Sequence, residues 1–132
     1  MVILKAYPDG FVEFANCGHV LPLAIMDNRV TRLEGNNLIV GLIESATYTS
    51  SSYRLRPGER LPLATDGVTE AEDGSGRLFG DLLPSLVAQT GSLEDILRHV
   101  EQFQAPSEAQ DDLTLVQLRY LGANACGESV EG

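Results

Sequence analysis

Leu55-Arg56-Pro57-Gly58-Glu59-Arg60-Leu61-Pro62-Leu63-Ala64-Thr65-Asp66-Gly67-Val68-Thr69-Glu70-Ala71 is the stretch on which the fold turns. Arg56-Pro57-Gly58-Glu59 is a turn signal, because proline presets one central dihedral and glycine accepts the other. It feeds a short apolar run, Arg60 to Ala64, that ends at the acidic turn Thr65-Asp66-Gly67. Pro62 has no ladder donor, which makes the run awkward as a central strand. Past Gly67 the apolar period changes from two to that of a helix.

Upstream, short strands alternate with turns. Val2 to Tyr7 and Phe11 to Ala15 flank Pro8-Asp9-Gly10, and Leu21 to Met26 and Val30 to Leu33 flank Asp27-Asn28, so two hairpins are predicted. Glu34-Gly35-Asn36-Asn37 reads as a loop, followed by an apolar run, Leu38 to Ile43, broken by Gly41. The Ser/Thr-rich stretch Thr47 to Leu55 suits an edge strand.

Downstream, Gly74-Ser75-Gly76 marks a loop, Asp81 to Ala88 a helix, and Thr90-Gly91 its stop. Leu93, Ile96, Leu97, Val100 and Phe103 then share one helical face, with Ser92 and Asp95 resembling a capping box. Ala105 to Gln110 is a loop and Leu113 to Tyr120 a returning strand. The small, acidic stretch 122–132 reads as a loose tail. Strands, then helices, then a strand, without βαβ alternation, indicate an α+β fold with mostly antiparallel sheets.

Length sets one domain of 132 residues, large enough for a real core. The formal net charge of −10 disfavours nucleic acid and anionic membrane as partners, since both would repel the molecule. Residues 1–60 balance six basic against six acidic side chains, whereas residues 61–132 hold three basic and thirteen acidic. No apolar stretch is long enough to span a bilayer and no signal-peptide pattern follows Met1, so a cytoplasmic location is expected. Cys17 and Cys126 stand in no metal spacing and are expected to be free thiols.

The candidate chemistry lies in two acidic turns, Thr65-Asp66-Gly67 and Gln110-Asp111-Asp112-Leu113-Thr114. Brought together, Asp66 and Asp111 would offer hard oxygen ligands suited to Mg²⁺ or Mn²⁺, the metals of phosphate chemistry. Taken singly, each also reads as an ordinary turn or a solvated strand start. His19 has both an acid/base reading and a packing one. Asn16 can hold a loop through its amide, and Thr65, Gly67 and Glu70 have similarly mixed readings.

Five ordered segments resemble the bacterial PPM-type (protein phosphatase 2C-like) serine/threonine phosphatases of the sporulation stage II protein E family. Ala15-Asn16-Cys17-Gly18-His19 is similar to its N-A-G-H segment, and Leu55-Arg56-Pro57-Gly58-Glu59-Arg60-Leu61 to its L-x-P-G-D-x-L approach. Thr65 to Ala71 resembles T-D-G-V-x-E-A, Leu78-Phe79-Gly80 its F-G element, and Gln110 to Leu115 its D-D-x-T-L ending. The resemblance implies a sandwich of two antiparallel sheets with helices outside. It also implies hydrolysis of phosphoserine or phosphothreonine on a regulatory protein, with Asp66 and Asp111 as ligands of a binuclear Mn²⁺ or Mg²⁺ site. Adjacent strand residues point to opposite sides, so Asp112 is not expected to share that role.

Several residues depart from the pattern: Cys17 stands for Ala, Glu59 for Asp, and Pro62 and Ala64 for Leu and Tyr. The family's opening acidic strand and its G-D-x-x-G-H-G-like segment, which supply the Asp that bridges the metals, have no counterpart here. Residues 1–121 therefore read as the later portion of such a domain, weakly active or inactive alone. A non-catalytic module that binds a partner is the alternative. Uncovered apolar surface and strand edges lead to an expected homodimer.

Overall fold

The computed structural model describes residues 1–20, 22–104 and 112–123. The loop expected at Ala105 to Gln110, Asp111 and Cys126 lie outside them, as does most of the expected tail. Seven strands form two antiparallel sheets. The first sheet has the order β1 (Val2–Ala6), β2 (Phe11–Asn16), β5 (Ser51–Arg54). The second has the order β4 (Arg29–Arg32), β3 (Leu23–Met26), β6 (Arg60–Ala64), β7 (Leu115–Arg119). Both predicted hairpins form, β1 with β2 and β3 with β4, and the Ser/Thr-rich strand lies at an edge.

Period-two alternation builds the inner layer. Val12 and Phe14 of β2 pack against Ala24, Leu61 and the flanking Leu33 and Leu55 between the sheets. The opposite faces of β3 and β6 carry Leu23, Ile25 and Ala64 into a second core beneath the helices. Burial on both faces explains the near-continuous apolar spelling of β3, Leu23-Ala24-Ile25-Met26. The outer face of the first sheet is largely polar: Lys5, Glu13, Ser52 and Arg54 alternate with the inward residues.

Pro62 sits within a central strand after all, and the hydrogen-bond parity shows why it is tolerated. Thr65 N–H bonds Thr114 O and Tyr120 N–H bonds Glu59 O, so the odd-numbered residues of β6 face their backbone groups toward β7. The even-numbered residues face β3, where among the described residues the one registered pair is Ile25 with Arg60. The missing donor of Pro62 thus falls where no ladder bond is made. The preceding turn is closed by Glu59 N–H to Arg56 O at 2.9 Å, with Gly58 at φ 89° behind Pro57, the type II arrangement that requires glycine.

The Glu59 side chain, 1% exposed, locks this turn. Its carboxylate accepts the Arg56 N–H at 2.8 Å and the Tyr53 hydroxyl at 2.6 Å. Burial, and then the adjacent Glu59 carboxylate, raise the Tyr53 phenol above its ordinary value.

The helical layer consists of α1 (Asp66–Thr69), a single 3₁₀ turn (Phe79–Asp81), α2 (Leu83–Gln89) and α3 (Leu93–Gln104). The helix expected over Asp81 to Ala88 is thus split, and Pro84 lies in the first turn of α2, where a missing N–H costs nothing. In α3, Ile96 and Val100 are fully buried and Leu93 and Phe103 pack against the same core, as the spacing requires. Ser92 Oγ accepts Asp95 N–H at 3.2 Å, but Asp95 does not reach back to Ser92. Its short carboxylate instead accepts the Thr90 hydroxyl, which in turn accepts Ser92 N–H at 3.1 Å. Among the described residues helices cover the second sheet alone, and none is long and apolar enough to cross a membrane.

Arg60 fastens this layer to the sheet. Its guanidinium donates to Val87 O at 2.8 Å, Thr90 O at 3.2 Å and Gln117 Oε1 at 3.2 Å, satisfying carbonyls at the end of α2. Gln117 completes the clasp by donating to Gly91 O at 3.2 Å. Burial, with Arg119 nearby, lowers the Arg60 pKa from its very high ordinary value.

Candidate metal centre

The turn that carries Asp66 is held by its neighbour. Thr65 N–H bonds Thr114 O at 3.0 Å, and Thr114 N–H bonds Thr65 Oγ1 at 3.1 Å. This clasp extends the β6–β7 ladder past Ala64 and joins the two acidic segments at one end of the second sheet. Asp66 does not end a strand, as its spelling suggests; it is the first residue of α1. Its carbonyl accepts Glu70 N–H at 2.8 Å, while its exposed carboxylate makes no hydrogen bond or ion pair with the described residues. An exposed carboxylate without a competing partner keeps its oxygens available to a hard cation.

The remaining candidates separate in role. Gly67 is buried as the second residue of α1 and does not adopt a left-handed φ, so it is not there to permit a turn. Val68 and Thr69 are buried beside it, and Glu70 is exposed at the helix end. Asp112 is exposed and precedes β7, and Thr114 has a structural role through its backbone bonds to Thr65. Asp111 lies outside the described residues. Among those residues no three His, Cys, Asp or Glu side chains gather, so the described part of the centre consists of Asp66.

Asn16 behaves as its amide suggests. At 1% exposure it accepts His19 N–H at 2.8 Å and donates to His19 O at 2.9 Å, bracketing the Asn16-Cys17-Gly18-His19 turn. Gly18 adopts φ 71°, and a Cβ there would lie 2.5 Å from Ile39 Cγ1, so glycine is required twice over. Cys17 is buried and free. His19 Nδ1 is 2.9 Å from Val20 O, a carbonyl that can only accept. Nδ1 therefore carries the proton, and in the neutral ring Nε2 is left as an acceptor. His19 and Val20 border a small apolar hollow with Ala64, Thr69 and Leu115, close to the Asp66 turn.

The Thr65–Thr114 clasp and the Val20 wall were not evident beforehand as parts of one place. The matching short segments around Asp66 and Asp111 were their only signal. The apolar run at Leu38 to Ile43 is neither strand nor core: it is a series of turns with Leu38, Ile39, Val40, Leu42 and Ile43 all exposed, Leu42 to 66%. Ile39 rests on Gly18, and Asn37 donates to Asn16 O and Thr49 O at 2.9 Å each, tying this segment to the His19 turn.

Two antiparallel sheets packed face to face, helices over the second and Asp66 opening a helix just beyond a central strand are features shared with PPM-type protein serine/threonine phosphatase domains. Residues 1–121 match the family Stage II sporulation protein E (SpoIIE), and the chain belongs to it. It is 32% identical over 98 residues to Protein IcfG of Synechocystis, a match covering 71% of this chain and 15% of that protein. Its fold is similar to the phosphatase domain of the cell fate determinant SpoIIE from Bacillus subtilis, solved after a Mn presoak. There the TM-score is 0.69 at 14% identity, over 90% of this chain and 55% of that one. The SiaA-PP2C domain of Pseudomonas aeruginosa gives a TM-score of 0.68 at 23% identity, over 85% of this chain and 47% of that one. The chain thus spans about half the length of these solved domains and a small part of the curated relative.

Proposed function

We propose that this chain supplies part of the divalent-metal centre of a phosphatase acting on phosphoserine or phosphothreonine of a regulatory protein. The observation that carries the reading is the Thr65–Thr114 clasp, which holds the Asp66 turn against the segment that follows Asp111. Only Asp112 and Leu113 lie between Asp111 and Thr114, so chain length alone keeps the Cα atoms of Asp111 and Thr114 within about 11 Å. Asp66 and Asp111 are the ligands, and their oxygens suit Mn²⁺ or Mg²⁺. When bound, such cations polarise phosphoryl oxygens and lower the pKa of a coordinated water. Asp66 holds its share of that charge from an anchored helix start, and Thr65 keeps the two acidic segments in register. The Mn presoak of the SpoIIE domain supports the choice of metal.

Two aspartates are too few to satisfy two cations that each prefer about six oxygens. The 132-residue chain alone is therefore expected to bind Mn²⁺ weakly and to release negligible phosphate from p-nitrophenyl phosphate. Calorimetric titration should show Mn²⁺ binding that is lost in Asp66→Asn and in Asp111→Asn and kept in Asp112→Asn. Binding that survives Asp66→Asn would refute the assignment. Robust turnover abolished by Asp66→Asn would instead show that the chain is catalytic on its own.

A second reading, a module that binds a partner without catalysis, is favoured by the exposed apolar residues between Leu38 and Ile43. Absence of any Mn²⁺ binding in the unmodified chain would select it.

A further inference from the structure

The opposite end of the second sheet holds a different kind of feature. Arg29 and Arg56 line an open hollow of about 580 Å³ together with Met26, Asp27 and Asn28. Acidic side chains outnumber basic ones nineteen to nine in this chain, so most exposed arginines should find a carboxylate. Arg54, Arg77 and Arg98 do, each in a surface ion pair, whereas Arg29, Arg32 and Arg119 form none with the described residues, and of these three Arg29 alone lines the hollow. Arg29 makes no hydrogen bond or ion pair with the described residues. Arg56 approaches Glu59 only through Nε, at 3.8 Å, and that carboxylate is already engaged by the Tyr53 hydroxyl and a backbone N–H. Both arginines thus line one concavity, and among the described residues the single carboxylate in an ion pair with either is Glu59, reached by Arg56 through Nε. Asp27, on the same rim, is the one non-glycine residue with a left-handed φ, 53°, among those described.

We infer that this hollow is an oxyanion subsite, read by the two arginines in the forked geometry that carboxylates and phosphates match. Its place relative to Asp66 follows from the strand between them. Gly58 lies beside Met26, with 3.9 Å from a Cβ built there to the methionine Cε, whereas Asp66 follows the far end of β6. Seven residues of roughly 3.3 Å each separate Glu59 from Asp66, about 23 Å. A small phosphate ester cannot span that distance, and a protein can. Resting on the phosphatase reading, the subsite assigns the substrate class: a protein with an acidic group about 20 Å from its phosphorylated residue.

Two sources share this chemistry, free phosphate and the carboxylates of an acidic segment. Amide NMR titration of the chain at constant ionic strength separates them, with inorganic phosphate in one arm and an acetylated penta-glutamate peptide in the other. Using Asp66→Asn without divalent metal removes the candidate metal centre from the measurement, so its outcome does not depend on the phosphatase reading. Saturable shifts are expected at residues 27–29, 56 and 58, with affinity falling about tenfold in Arg29→Gln and in Arg56→Gln, near 1.4 kcal/mol. The equally unpaired Arg119, on β7, serves as control, and Arg119→Gln should leave the affinity unchanged. Tighter binding of the peptide supports the acidic segment of a protein substrate as the source, and tighter binding of phosphate would overturn that assignment of substrate class in favour of a small anion. Failure of both ligands to saturate, or equal weakening in Arg119→Gln, would overturn the subsite.

Discussion

Glu59→Ala should lower the unfolding free energy by about 3–5 kcal/mol, measured by urea denaturation. The substitution strips the acceptor from two part-buried donors at once, the Tyr53 hydroxyl and the Arg56 N–H. It also empties the space of a side chain that is 1% exposed. Glu59→Asp provides an informative contrast, because Asp is the residue that the related motif carries there. The shorter arm keeps the carboxylate near the Arg56 N–H but falls short of Tyr53, so about 1–2 kcal/mol should be lost.

The same pair predicts an alkaline limit to stability. Burial and the Glu59 carboxylate raise the Tyr53 pKa in the folded state, so folding disfavours the phenolate. A raised folded value means that the associated stability is complete below the ordinary tyrosine value of about 10 and is lost as pH climbs through the folded one. In Glu59→Gln the Tyr53 titration, followed by tyrosinate absorbance and compared with Tyr53→Phe, should move down yet stay above ordinary because burial persists.

Arg60→Met should cost about 2–4 kcal/mol through loss of charged hydrogen bonds to Val87 O, Thr90 O and Gln117. Arg60→Lys should recover less than half of this, since a single ammonium cannot reach three acceptors in a fork. A double-mutant cycle with Gln117→Leu should give a coupling of about 1 kcal/mol, reporting the clasp as a unit. If Arg60→Met and Gln117→Leu are additive, the two side chains act independently and the clasp is disproved.

Much of the architecture was legible because alternation and helical spacing report burial directly. Val12 and Phe14, Leu61 and Leu63, and Ile96 and Val100 all lie where their periods place them. The turn chemistry at Pro57-Gly58 was legible for the same local reason. Leu38 to Ile43 was not, since composition cannot distinguish an apolar run that is buried from one that is exposed. Pro62 misled in the other direction, because its cost depends on the side of the strand that its nitrogen faces, a matter of register. The Thr90 hydroxyl replaced Asp95 at the α3 cap because the aspartate arm is one methylene short of a glutamate. At the candidate centre, it was the resemblance of the two motifs to a known family that singled out Asp66 and Asp111. It could not show the Thr65–Thr114 pairing, which depends on contact between residues 49 apart.

The proline in β6 has a mechanical consequence. With one registered pair between β3 and β6, against five between β6 and β7, the second sheet is two ribbons stitched at Arg60 and unstitched toward Asp66. The β6–β7 ribbon carries the Asp66 turn, and the β3–β4 ribbon begins just after the His19 turn. Toward Asp66 the two ribbons meet through side chains, Leu23 and Ile25 with Ala64 in one core, and among the described residues no registered backbone pair joins them there.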